Sequence, residues 1–284
     1  MKSLALASFG AIIALASPAM AQDGTDHFSG PYVGASLGYN WLPNNTANDV
    51  ETLAYDTNGD GNFNDQPRNA VTGANAFVGY CDGRPRQRPN GTVADGCTSD
   101  RDGKFAYSGM LGYDMQMGNV VIGAVVEGGQ SYGSNYVTGF SSTPANYTFS
   151  RRLDWEAAAR LRAGFAFDRT LVYATGGLAY GKFKNNFTTN NGANTFTESN
   201  RTEDDWGYTF GGGIEHKVDD HFSVGVLYRY TRFNPNDYRV TVGQGTAPAG
   251  NPFINGLTNG STVIMRTNEQ YTTQSVRFTA AYRF

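Results

Sequence analysis

The segment 153–167 reads LDWEAAARLRAGFAF, and its side chains alternate in character at every second position. Apolar groups occupy one face of this alternation: Trp155, Ala157, Ala159, Leu161, Ala163, Phe165 and Phe167. The opposite face carries Glu156, Arg160, Arg162 and Gly164. A period of two predicts a β-strand with one apolar and one polar face. The segment is long enough to cross a lipid bilayer as a tilted strand.

Seven further stretches alternate in a related way and are predicted to be strands of the same kind. They are 31–41, 104–117, 120–131, 171–183, 205–217, 222–233 and 275–284. The last of them has Phe278 on its apolar face and Arg277 on the other. In 120–131 and 171–181 both faces are small or apolar, so the pattern alone does not assign their direction.

The connections between these strands alternate in length. Short turns are predicted near 118–119, 168–170 and 218–221, and long polar segments at 42–103, 132–152, 184–204 and 234–270. In a transmembrane barrel the periplasmic turns are short and the extracellular loops are long. Lipid offers no partner to a free strand edge, so such strands must close on themselves. The pattern predicts an all-β fold, an eight-stranded antiparallel up-and-down transmembrane β-barrel with long extracellular loops; a soluble β-sandwich is the alternative.

The first 21 residues have the features of a signal peptide. Lys2 precedes an apolar stretch from Leu4 to Ala16, and Ala19-Met20-Ala21 is a small-x-small cleavage site. The mature barrel domain is therefore predicted to cover 22–284, and a retained N-terminal anchor is the alternative. No run of 18 apolar residues follows. We expect export to the bacterial outer membrane.

A set of charged residues is predicted to face the barrel interior. It consists of Asp114, Glu127, Glu156, Arg160, Arg162, Glu215, Arg229, Arg277 and Arg283. A barrel of eight strands is about wide enough to be filled by its own side chains. Isolated charges in a narrow lumen are costly, so we expect a Glu–Arg network that plugs the barrel. A small passive channel lined by these charges is the alternative.

The first long loop carries two candidate local constraints. Cys81 and Cys97 are expected to form one disulfide in an oxidising compartment, with a metal site as the weaker alternative. A partial calcium loop is also predicted, with oxygen ligands from Asp56, Asn58, Asp60, Asn62 and Asp65. The bidentate Glu that usually ends such a loop is replaced by Pro67. Ca²⁺ is thus the one cofactor for which the sequence offers a candidate site. A surface ligand-binding protein with calcium-ordered loops is accordingly a further alternative for the function.

Composition excludes several other classes of protein. Aromatic residues make up 13% and charged residues 17% of a chain with net charge −3, which disfavours disorder and nucleic-acid binding. His27, His216 and His221 form no recognisable pair with a nucleophile, so an enzyme is not expected. Three arginines at 84, 86 and 88 could meet lipopolysaccharide phosphates, but nearby acidic residues balance them.

Several segments resemble a known family. They are FSGPYVGASLGYNW (28–41), WEAAARLRAGFAFDRTLVYATGGLAYG (155–181), GYTFGGGIEHKV (207–218), VGVLYRYTRF (224–233) and SVRFTAAYRF (275–284). These are similar to the small outer-membrane proteins of alphaproteobacteria, the Brucella-type surface antigens related to opacity-type porins and the OmpA-like barrel. The resemblance implies a barrel in contact with outer-membrane lipid and lipopolysaccharide, with roles in envelope integrity or surface interaction, and in some members haem binding or host contact. It also implies that Tyr282 and Phe284 are the signal read by the outer-membrane assembly machinery.

Overall fold

The computed structural model describes residues 27–43, 50–86, 96–98, 103–143, 145–254 and 261–284. The predicted signal peptide lies outside these residues. No α-helix that is long and apolar enough to span a membrane occurs in the described part of the chain.

Every regular element is a β-strand in the residues that the structure describes. The strands are β1 (Gly30–Trp41), β2 (Leu53–Asp56), β3 (Phe77–Asp82), β4 (Arg84–Pro85), β5 (Cys97–Thr98), β6 (Gly103–Met117), β7 (Val120–Ser141), β8 (Asn146–Phe167), β9 (Thr170–Thr189), β10 (Thr195–Glu198), β11 (Thr202–Lys217), β12 (Phe222–Phe233), β13 (Val240–Gly243), β14 (Thr262–Arg266) and β15 (Tyr271–Arg283). The predicted all-β fold is confirmed.

The long strands pair in a closed ring. Its order is β7, β6, β1, β15, β12, β11, β9 and β8, and β8 pairs with β7 to complete the cylinder. All pairs in the ring are antiparallel. The short strand β3 adds to the upper part of β7, so the sheet as a whole has nine strands. The ring leaves no free strand edge along the cylinder wall, as lipid requires.

The outward face of the cylinder is an apolar band. Leu161 is 70% exposed and Phe278 is 68% exposed, whereas Arg160 and Arg277 on the same strands are buried inside. The pattern did not assign a direction to β7, and here Val121, Val125 and Glu127 point inward while Ile122 and Val126 point outward. Since lipid contacts only the outward row, this arrangement suits a bilayer.

Short turns close one end of the cylinder. Gly118 and Asp168 adopt φ values of 63° and 51° in two of these turns, the left-handed conformation that tight hairpins require. At the same end Phe28 is fully buried, and its backbone N–H donates to Gln116 Oε1 at 3.0 Å. Phe28 packs against Val121 and Leu171 inside the mouth. The N-terminal segment therefore closes the short-turn end.

At the opposite end, two of the four predicted long loops are replaced in large part by strands. The prediction of a loop over 132–152 is wrong. Strand β7 continues to Ser141 and β8 already begins at Asn146, so most of this segment is β-strand. The predicted loop 184–204 is shortened likewise by β9. The upper parts of these strands carry buried apolar side chains. The alternation that identified the lower parts of the strands does not predict them.

A second sheet covers the extended hairpins. It has the order β10-β13-β14-β2 and contains residues from three of the predicted loops. We call this sheet, with the upper parts of β7, β8 and β9, the cap. Its core consists of Leu53, Tyr55, Ala76, Phe77, Val137, Ala145, Tyr147, Phe149, Phe187, Tyr238, Val240, Val242, Phe253 and Ile264. The cap therefore has its own hydrophobic core beyond the end of the barrel.

Candidate functional site

Five buried charges form a layer halfway along the interior, which we call the middle layer. Arg160 Nη2 donates to Glu127 Oε2 at 2.7 Å. Arg229 pairs with both Glu127 and Glu156. Arg277 Nη2 donates to Glu156 Oε1 at 2.7 Å and its Nη1 lies 4.0 Å from Glu127 Oε1. The residues come from four strands, β7, β8, β12 and β15, so the layer ties opposite walls together.

Four further charges form a lower layer nearer the short turns. Arg162 Nη2 lies 2.8 Å from Asp114 Oδ2 and 2.9 Å from Glu215 Oε2. Arg283 Nη2 lies 2.8 Å from Asp114 Oδ2 and 3.5 Å from Glu215 Oε1. The Tyr32 ring lies beneath both guanidinium groups, 5.3 and 4.7 Å from their carbons. Two cations and two carboxylates balance here, and aromatic stacking adds to the pairing.

The nine charged residues predicted for the lumen are thus all buried and all belong to one of these two layers. The middle layer holds three guanidinium groups against two carboxylates, so it has an excess of one positive charge. Removing one charged partner from such a buried set lowers the stability of the fold strongly, because an uncompensated charge remains.

Uncharged side chains fill the space above, between and below the two layers. A cavity of about 20 Å³, lined by Tyr32, Val125 and Leu227 among others, lies between the layers and suffices for about one water molecule. Above the middle layer lies an apolar cluster of Leu42, Leu153, Ala158, Ala179, Phe183, Phe233 and Tyr271. Below the lower layer lies the Phe28 cluster. In the described residues the interior is therefore occupied by successive layers of side chains.

A third set of charges ties the long-loop segments to one another, and sequence reasoning missed it. Arg266 makes a bidentate pair with Glu51, at 2.6 Å from Nε and 2.5 Å from Nη2. Arg151 Nε lies 3.9 Å from Glu203 Oε1. These residues fall in segments predicted to be loops, where charged side chains are ordinarily solvated. Glu51 and Arg266 are 215 residues apart in sequence, so their contact depends on how distant segments pair in the fold.

The two constraints predicted in the first loop have different outcomes. The Cys81–Cys97 disulfide is present, with the two Cα atoms 5.9 Å apart. In the Asp56–Asp65 segment the carboxylates turn toward their own backbone: Asp56 accepts from the N–H groups of Gly59 and Gly61 at 2.7 and 3.0 Å. Backbone and side-chain hydrogen bonds from Asn62 lower the pKa of Asp60.

The hydrogen bonds of the Asp56–Asp65 segment do not by themselves indicate metal binding. Among the described residues no group of three or more His, Cys, Asp or Glu side chains is placed to hold one ion. Calcium binding by Asp56, Asn58, Asp60, Asn62 and Asp65 stays a prediction of the sequence.

The histidines and the arginine patch lie at opposite ends of the molecule. His27 Nε2 lies 3.5 Å from Asp168 Oδ1, and His216 Nδ1 lies 2.9 Å from Thr170 Oγ1, both at the short-turn end. The Arg84 guanidinium lies over the Tyr136 ring at 4.4 Å, and Arg88 is outside the described residues. The expectation that this chain is not an enzyme stays a prediction.

The C-terminal aromatic pair faces outward. The Tyr282 and Phe284 rings are 5.2 Å apart and both are exposed on the outward face. The resemblance predicts that Phe284 is part of the signal read by the assembly machinery, so Phe284→Ala is expected to lower the amount of folded barrel in the outer membrane of cells. The measurement is the fraction that migrates as folded protein without heating. Phe278→Ala removes another outward phenyl ring from the same strand and is the matched control; equal loss from both variants would contradict a specific signal.

Comparison with known proteins places the chain in a family. A family model described as outer membrane protein beta-barrel domain matches residues 7–284. The chain is 33% identical over 135 residues to the 31 kDa outer-membrane immunogenic protein of Brucella melitensis, covering 45% of this chain and 54% of that protein. It is 29% identical over 147 residues to the 22 kDa outer membrane protein of Rhizobium leguminosarum, covering 51% and 61%. The chain thus spans little more than half the length of the curated relatives it matches.

Two solved outer-membrane proteins match the chain at low sequence identity and with TM-scores below 0.5. The outer membrane protein OprG of Pseudomonas aeruginosa has a TM-score of 0.44 at 10% identity, covering 92% of this chain and 100% of that chain. The attachment invasion locus protein Ail of Yersinia pestis has a TM-score of 0.36 at 10% identity, covering 90% and 100%. On the family match over residues 7–284, the chain belongs to the outer-membrane protein β-barrel domain family, and it is a protein of the bacterial outer membrane similar to outer-membrane proteins of alphaproteobacteria.

Proposed function

We propose that this protein is a plugged outer-membrane barrel whose role is structural, in envelope integrity, or in surface interaction through its cap. The observation that carries the proposal is the pair of ion-pair layers across the interior, in which Arg160 lies 2.7 Å from Glu127 and Arg162 lies 2.8 Å from Asp114. An open channel would instead need these groups to face water.

The side chains that occupy the barrel interior favour a plugged barrel over an open channel. An ion that moved along the axis would have to pass the Phe28 cluster, both charge layers and the aromatic cluster around Phe183. The space between the charge layers, about 20 Å³, has room for about one water molecule. Separating the ion pairs to widen the path would leave buried charges without partners, which is strongly unfavourable.

The cap supports a role at the cell surface. Its strands hold the long-loop segments in one folded unit, and the Glu51–Arg266 pair fixes two of these segments to each other. The short-turn end corresponds to the periplasmic side of such barrels, so the cap is expected to face the outside of the cell. The immunogenic outer-membrane relative from Brucella is in keeping with this orientation.

Planar-bilayer recording tests the plug. Refolded protein whose insertion is established by co-flotation with vesicles is expected to give no stable conductance steps, because the layers close the lumen. Heat-modifiable migration on gels shows that the inserted sample is folded. Large, uniform, long-lived openings would contradict the plug and favour the small passive channel.

A further inference from the structure

The outward face of β8 and β9 changes abruptly from apolar to charged on its way toward the cap. On β9 the outward residues Val172, Ala174, Gly176, Leu178 and Tyr180 are followed by Lys182 and Lys184. On β8, Arg152 and Asp154 lie above Trp155 in the same way. These changes occur at one level, because Lys182 pairs with Trp155 and Lys184 with Arg152.

An aromatic cluster marks the level at which the change occurs. The Trp155 and Tyr180 rings are 6.4 Å apart, and the Tyr180 and Trp206 rings are 5.2 Å apart, both edge to face. Tyr and Trp concentrate where hydrocarbon meets the headgroups. Lys182 lies two residues above Tyr180, which for a tilted strand places it about 5 Å further out. The cations are therefore at the level of the outer-leaflet headgroups.

The cations outnumber the carboxylates on this surface. Asp154 lies between two of them, with Lys184 Nζ at 2.8 Å and Arg152 Nη2 at 3.2 Å. Asp204 pairs with Lys182 in register, two residues along the strand pair from Trp206 and Tyr180. The side chains of Arg152 and Lys184 remain 44% and 50% exposed. Three cations, two carboxylates and an aromatic floor thus form one outward surface, which we call the basic rim: Arg152, Asp154, Trp155, Tyr180, Lys182, Lys184, Asp204 and Trp206.

We propose that the basic rim docks a phosphorylated glycolipid of the outer leaflet, with its phosphate groups on Arg152, Lys182 and Lys184. The ligand chemistry follows from position. The rim is continuous below with the lipid-facing band, so its occupant has acyl chains beside Leu178 and a headgroup at the level of the cations. Long basic side chains that reach the headgroup region bind anionic lipid there. This proposal depends on the barrel spanning the membrane and is independent of whether the lumen is plugged.

Tryptophan fluorescence can report lipid binding at the basic rim. It contains three tryptophans, and two of them, Trp155 and Trp206, belong to the basic rim. Trp41→Phe leaves only these two. This variant, folded in phosphatidylcholine nanodiscs, is titrated with bisphosphorylated lipid A, with dephosphorylated lipid A and with inorganic phosphate while tryptophan fluorescence is followed. We expect saturable binding of the bisphosphorylated lipid and far weaker binding of the other two.

Three double variants, which remove or retain positive charge, locate the site. Lys182→Gln/Lys184→Gln is expected to weaken lipid A binding about thirtyfold, since each interfacial cation contributes on the order of one factor of five. Lys182→Arg/Lys184→Arg retains the charge and should bind as the parent does. Arg68→Gln/Arg86→Gln removes two exposed cations away from the barrel wall and should leave binding unchanged.

Three results would overturn the proposal. The first is equal binding of phosphorylated and dephosphorylated lipid A by the parent, a comparison that needs no rim variant to fold. The second is equal affinity of the Lys182→Gln/Lys184→Gln variant and the parent. The third is competition by inorganic phosphate at the same concentration as lipid A, which would make the surface an anion site without lipid preference.

Discussion

Glu127→Gln is expected to destabilise the folded barrel by about 3–5 kcal/mol, because it leaves buried guanidinium groups with too few carboxylates. In the parent, Glu127 faces Arg160, Arg229 and Arg277. Without its charge the middle layer keeps three cations and one carboxylate. Arg229→Met should be less harmful although Arg229 makes two ion pairs, since Arg160 then still pairs with Glu127 and Arg277 with Glu156.

Denaturant unfolding in lipid vesicles, followed by tryptophan fluorescence, measures both effects. Asp154→Asn is the control, a carboxylate-to-amide change on the outer surface of the same barrel. Its loss is expected to stay within about 1 kcal/mol, as for other exposed ion pairs. A larger loss for Arg229→Met than for Glu127→Gln would show that pair number, and not charge balance, governs the stability of the layer.

Phe77→Ala is expected to unfold the cap while the barrel stays folded. Phe77 lies at the centre of the cap core, with ring centroids 4.7 Å from Tyr55, 5.2 Å from Tyr147 and 5.9 Å from Phe253. Removing a buried phenyl ring costs about 3–5 kcal/mol. The cap core is separate from the interior layers of the barrel, so the loss should remain local.

Limited trypsin digestion of the protein in vesicles distinguishes the two units. In the variant we expect faster cleavage at cap arginines such as Arg68 and Arg239, while the barrel strands remain protected and heat-modifiable. Val78→Ala, on the same strand but at an exposed position, should digest like the parent. Loss of heat-modifiable migration in Phe77→Ala would show instead that cap and barrel unfold as one unit.

Strand alternation predicted the faces of the cylinder wall because the side-chain period of a strand leaves only two choices. Where one row was apolar and the other charged, as in 153–167, the direction of every side chain followed. In β7 both rows of side chains were small or apolar, and only Glu127 indicated which row faces the interior. The sequence could not show that Arg229 reaches Glu127 and Glu156, because that contact depends on the stagger of strands around the ring.

The cap could not be predicted for a different reason. Its core residues, such as Leu53, Phe77, Tyr147 and Ile264, come from separate polar segments in which no periodic pattern is sustained. Each segment alone buries little apolar surface. Only their assembly on the extended β7–β8 and β8–β9 hairpins makes a core, so local composition indicated loops where the chain forms strands.

The pairing of the first and last barrel strands determines when the cylinder can close. Arg283 donates across that seam to the backbone carbonyl of Phe28, 255 residues earlier in the chain, and Tyr32 pairs with Arg283 in register. Contacts this distant in sequence form late in folding. A chain that ended before Tyr271 would leave β1 and β12 with unpaired edges at the same time. Such edges recruit other strands, so a truncated product should aggregate instead of forming a smaller barrel.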